Sequence, residues 1–162
     1  MGFFIHHDPQ KNFLLTIFHG SMKATDLSDY TTEILGDRYS CPGKKRLTIL
    51  CENASAHRLD HHAVYEAGKQ LQQARFRPGG RLAIVARNTI GFGMARIYQL
   101  ASEVEGLDEI RVFHGHELDS AIQWLGAGEV VRVVQKNIAV HEALSLETIL
   151  PLRLHSNSAS QP

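Results

Sequence analysis

RLAIVARNTIGFGMARIYQLASEVEGLDEIRVFHGHELDSAIQWLG, residues 81–126, decides the fold. Leu82, Ala83, Ile84, Val85 and Ala86 are apolar at every position, as a central strand covered on both sides must be. Met94, Ile97, Ala101 and Val104 then recur at helical spacing, so 88–106 reads as a helix. DEIRVF is a second strand, and HELDSAIQWLG a second helix with Leu118, Ala121, Ile122 and Leu125 on one stripe. A strand, a helix and a strand in that order make a parallel unit with a right-handed crossover. The stretch carries no recognisable catalytic signature.

Working back from it, Leu47–Cys51 reads as a strand. Leu59, Ala63, Ala67, Leu71 and Ala74 line a helix that stops before Pro78, Gly79 and Gly80. Earlier still, Ala24, Leu27, Thr31, Ile34 and Leu35 mark a helix ending at Gly36, with Thr25 or Ser21 as its cap. Phe3–His7 and Asn12–His19 flank an Asp8, Pro9, Gln10, Lys11 turn and read as an opening hairpin.

Working forward, Val130–Val134 looks like an added strand, and 141–150 a short helix halted by Pro151. The expected fold is α/β: a layered, mixed sheet of about five strands flanked by helices, in the order β-β-α-β-α-β-α-β-α. Residues 1–126 form the domain, 127–154 an extension packed on it, and 155–162 a mobile polar tail.

Composition bounds the function. The 162 residues suit one domain with one core. Hydrophobic residues at 43% and charged residues at 21% are those of a globular chain that folds unaided. Seventeen basic residues balance seventeen acidic ones, so no net field attracts nucleic acid. Ten histidines add positive charge as pH falls through the imidazole range. Cys41 and Cys51 are too few for a disulfide framework, no leader peptide is evident, and no apolar run is long enough to span a bilayer. A cytoplasmic protein without integral membrane association is expected.

GFGMARIYQL at 91–100, IRVFHG at 110–115 and LDSAIQWLG at 118–126, together with the strand order, resemble the SpoIIAA-like proteins, small bacterial proteins with the fold of STAS domains and anti-sigma-factor antagonists. The similarity covers residues 3 to 126. It implies a five-stranded sheet and a non-catalytic, regulatory or binding role toward a protein partner or small ligand. In the antagonists a serine or threonine in an Asp-Ser-Ser-Gly-like turn after the third strand accepts phosphate. Here that turn is Cys51-Glu52-Asn53-Ala54-Ser55-Ala56-His57. Ser55 stands near the acceptor position, but the paired hydroxyl and the glycine are missing, and capping of the next helix is the better reading.

Asn88, Gly91, Phe92, Gly93, Arg96 and Tyr98 form the candidate ligand site. They sit where a central strand becomes a helix, at the carboxyl end of an open sheet. Free backbone amides there with Arg96 would suit a carboxylate or phosphate, and Phe92 and Tyr98 would wall a crevice for an amphipathic acid or lipid. The plain alternative is that the glycines let the helix approach the sheet. His57, His61 and His62, like His114 and His116, lack a further ligand at diagnostic spacing, so no metal or cofactor is expected. Ser55 with His57, or Cys51 with His61, can be written as nucleophile and base for a small hydrolase or transferase, but no elbow or phosphate loop supports either. Trp124 beside Leu125 packs on the sheet edge or seats a second subunit in a homodimer.

Overall fold

The computed structural model describes residues 2–154. Among these, five strands form one mixed sheet: β1 (Phe3–Asp8), β2 (Phe13–Phe18), β3 (Lys45–Leu50), β4 (Arg81–Ala86) and β5 (Glu109–His114), in the order β1-β2-β3-β4-β5. β1 and β2 are antiparallel and all other neighbours are parallel. Asn12 closes the opening hairpin at φ 47, a left-handed conformation that asparagine tolerates.

The strand order dictates where the helices go. α1 (Ala24–Ile34), α2 (His61–Gln70) and α3 (Thr89–Ser102) connect β2 to β3, β3 to β4 and β4 to β5. Because the strands are laid down in one direction across the sheet, crossovers of one hand place all three helices on the same face. That face presents Thr16 and Phe18 from β2, Arg46, Thr48 and Leu50 from β3, and Leu82 and Ile84 from β4. The other face presents Leu15, Ile17, Leu47, Ile49, Ala83 and Val85, each at most 1% exposed. Without a further layer it would face water. α4 (Leu118–Leu125) and α5 (Val131–Leu154), with Val130 from the turn between them, supply that layer through Ala121, Ile122, Leu125, Val134 and Ile138, all in the buried core.

The sequence-based reading of Val130–Val134 as a strand is therefore wrong. The branched residues suggested β structure. However, the buried positions are Val130, Val134, Ile138 and His141, a helical interval, while Val133 points outward at 36% exposure. α5 also runs past Pro151 to Leu154. A proline so near a helix end removes one backbone donor from the last turns and leaves the turns packed on the sheet intact. The tail at 155–162 lies outside the described residues.

Two caps also differ from expectation. Neither Thr25 nor Ser21 caps α1: the helix starts at Ala24, and the Lys23 amide donates to Asp26 Oδ2 at 2.8 Å. Ser55 does not cap α2, whose first turn is held by Asp60 Oδ1 accepting from the His62 amide at 3.0 Å. Ser55 instead lies in a parallel bridge with Ser21, its amide donating to the Gly20 carbonyl and its carbonyl accepting from Met22. Leu35, placed on the apolar side of α1, is exposed, as is Val104 beyond the end of α3.

Candidate functional site

The sheet face beneath α1, α2 and α3 is not filled. A cavity of about 70 Å³ lies there, floored by Phe18, Thr48, Leu50, Leu82 and Ile84. Leu27 and Tyr30 close it from α1, Val64 from α2, and Met94, Ala95 and Tyr98 from α3. Ala54, Ala56 and Leu59, from the segment between β3 and α2, complete the wall with Met22. The lining is nearly all carbon, so water gains few hydrogen bonds inside, and an apolar guest is favoured over a hydrated void. Two methionines on the wall, flexible and polarisable, let it adapt to a guest's shape.

Polar groups stand behind part of this lining. The Thr16 hydroxyl donates to the Tyr30 hydroxyl at 3.4 Å, and Tyr30 is so buried that its pKa is pushed up to about 12. Tyr30 therefore remains a neutral phenol. Beyond it lies a charged cluster. Arg46 Nη2 donates to Asp108 Oδ2 at 2.6 Å, and Arg77 Nε donates to Asp108 Oδ1 at 2.7 Å. Arg77 also reaches the Leu71 and Ser102 carbonyls. All three side chains are at most 2% exposed. Burial opposes the charge of Arg46, but its surroundings, the bonded Asp108 carboxylate among them, outweigh burial and hold the guanidinium above its ordinary range. The Arg46 Nε has no hydrogen-bond acceptor among the described residues.

The residues singled out from sequence are divided by the structure. Gly91 and Tyr98 line the cavity. Gly91 is there because of space: a Cβ would stand 3.1 Å from Asn88 Oδ1 and 3.4 Å from Leu50 Cδ1. Asn88 is engaged within the protein. Its Oδ1 accepts from the Gly91 amide at 2.7 Å, capping α3, and its Nδ2 faces the Cys51, Glu52 and Ala54 carbonyls at 3.2, 3.2 and 3.0 Å. The Gly91 amide is thus already bonded. Gly93 has open space before it. Arg96 is exposed and donates to Gln99 Oε1 at 2.6 Å. Phe92 turns toward β5 and stacks on His114, ring centroids 4.1 Å apart, away from Tyr98. Sequence reasoning missed Tyr30, Thr48, Arg46 and Asp108. A signal was present in KRLTIL, where Arg46 and Thr48 alternate with Leu47 and Ile49 and so must share one face of β3.

The nucleophile and base pairs fare unequally. Cys51 is fully buried, its thiol pushed up to about 12 by burial, whereas His61 is exposed and paired with Asp60. These two are not partners. Ser55 Oγ does hydrogen-bond His57 Nδ1 beside the cavity wall. No carboxylate is hydrogen-bonded to that histidine among the described residues, which leaves the ring without an orienting third group. No group of three or more metal-type ligands converges among the described residues. Trp124 packs near Phe113, with the Arg81 and Arg111 guanidiniums over its ring at 5.5 and 4.9 Å from the centroid. No helix among the described residues is long and apolar enough to cross a membrane.

Fold and cavity together define an α/β module with an apolar chamber under its three crossover helices. No family model matches the chain, and no curated protein matches it. Among solved structures it is similar to the crystal structure of an uncharacterised protein of the DUF3478 family, with a SpoIIAA-like fold, from Shewanella loihica PV-4. The two are 16% identical with a TM-score of 0.46, and the alignment covers 76% of this chain and 91% of that one.

Proposed function

We propose that this chain is a non-catalytic, cytoplasmic binding module that takes up a small, largely apolar molecule between the sheet and helices α1, α2 and α3. The observation that carries this reading is the cavity itself. Its wall combines residues from three helices, the sheet and the segment after β3, so a guest would bridge every element of that layer. At about 70 Å³ it is roughly half the size of a cavity that admits benzene, so the guest is a short alkyl chain or the leading part of a longer one. Among the described residues the site brings together no nucleophile, base and orienting acid, which favours recognition over turnover.

Thermal denaturation in the presence of 1-hexanol tests it. A ligand that binds only the folded chain raises the melting temperature with concentration. The wild-type protein is expected to respond, and Ala95→Leu, which fills the chamber, is expected to abolish the response. No shift in the wild type, or an equal shift in the filled variant, overturns the reading.

A further inference from the structure

The sheet has two edges, β1 and β5, and the hydrogen-bond pattern fixes which backbone groups face outward at each. In β5 the Glu109 amide donates to the Gly80 carbonyl. By alternation Glu109, Arg111 and Phe113 turn their backbone groups toward β4, and Ile110, Val112 and His114 turn theirs away from the sheet. Side chains of the same chain already meet this outer row. The Ile110 carbonyl accepts from Gln99 Nε2 at 2.8 Å, and Arg96 donates to Gln99 Oε1, which fixes the amide with its nitrogen toward the strand. The His114 amide donates to Glu117 Oε2 at 2.7 Å. The β5 edge is thus guarded near both its ends.

The β1 edge is open. The Gly2 carbonyl accepts from the His19 amide, so Phe4, His6 and Asp8 bond β2 while Phe3, Ile5 and His7 face outward. Among the described residues no hydrogen bond reaches the backbone of that outer row. β1 pairs with β2 along its whole length without a bulge, and FFIHHD holds no lysine, arginine or proline, the residues that commonly blunt an edge.

The register says what fits there. A second copy laid antiparallel, with Ile5 opposite its own counterpart, sets Phe3 opposite His7, and every outward N–H in the row meets a C=O. On the other sheet face Phe4 stands opposite His6. Rings therefore meet rings across the seam, and Asp8 falls opposite Gly2, so no like charges are opposed. A shift toward the turn would bring Pro9, which has no N–H, into the ladder. We infer that the chain forms a two-fold dimer by joining β1 to β1 of a second copy, which makes one continuous sheet through both. Trp124, beside Phe113 and Arg111 at the β5 side, has no part in it.

Light scattering during size-exclusion chromatography reads the mass of the full chain. The wild type is expected at twice the monomer mass. Ile5→Pro removes an N–H at the two-fold axis that the β1–β2 ladder does not use, and is expected to be monomeric. Trp124→Ala is expected to remain dimeric. Because Ile5 faces itself, Ile5→Lys and Ile5→Glu each oppose like charges and are expected to be monomeric alone, yet to form a mixed dimer when combined in equal amounts. That mixing experiment decides the matter if Ile5→Pro does not fold. A wild type that stays monomeric when concentrated overturns the inference, as does a dimer that survives in Ile5→Pro. Loss of the dimer in Trp124→Ala, or a Lys and Glu mixture that stays monomeric, overturns it equally.

Discussion

The two faces of the sheet solve the same packing problem differently. Toward α4 and α5 the strands present aliphatic side chains, and Leu15, Ile17, Leu47 and Ile49 are wholly inaccessible. Toward α1, α2 and α3 the same strands present Thr16, Thr48 and Arg46, with a hollow above them. Packing to crystal-like density is the default for a protein interior, and a hollow beside buried charge gives up stability. The lesson is that the α4 and α5 face holds the fold together, whereas the crossover face keeps room for something else.

The strongest way to break this contrast is at Asp108. Asp108→Asn removes the shared carboxylate from between two buried cations and is expected to cost about 3–5 kcal/mol in urea denaturation. A cost below about 1 kcal/mol, the level of an exposed pair, would show that the cluster is better solvated than its burial indicates.

A matched pair of enlargements sharpens the comparison. Ala121 on α4 is fully buried against the packed face, and Ala95 on α3 lines the chamber. Ala121→Leu is expected to destabilise by about 1–3 kcal/mol through overpacking. Ala95→Leu has a hollow to fill and is expected to be neutral or stabilising. Equal losses for the two, measured by the same denaturation curves, would mean that the faces are equally tight.

The smallest expected effect is the response to acid. His141 on α5 stacks on His19 at 4.9 Å and lies 4.6 Å from the Phe4 ring. Burial lowers the pKa of both histidines, and His7 is lowered by burial and by Lys44. A lowered folded-state value means that the unfolded chain takes up the proton first. The stability of the neutral rings is therefore complete above the unfolded value near pH 6.5 and is lost as pH falls through the folded-state values. The melting temperature is expected to drop from about pH 7.5 to about 5.5, with a shallower drop in His141→Phe. A flat profile in the wild type would place these rings in water.

Much of the architecture was legible in the chain. The continuous apolar run of β4, the helical spacing in α3 and α4 and the turn at Pro9 each follow from local pattern, and all appear in the structure. The last helix was not legible. Val130–Val134 has strand-forming composition, and its helical character emerges only once sequential crossovers have left one sheet face bare for it to cover. The cavity was half legible. Gly91 and Tyr98 were found because they follow the carboxyl end of a central strand, whereas Arg46 was passed over although strand alternation places it on the helix-covered face. Its partner Asp108 is 62 residues away, and Arg77, the other guanidinium on that carboxylate, is 31 residues from Asp108, separations that no local pattern bridges.

Asn88 ties the carbonyls of residues 51, 52 and 54 to the start of α3, whereas the inaccessible Cys51 sulfur feels Glu142 of α5 and Arg87. Cys41, in contrast, is open to solvent. The protein thus carries its own pair of chemical clocks: an alkylating reagent reads Cys41 at once, and reads Cys51 only when the core around it opens.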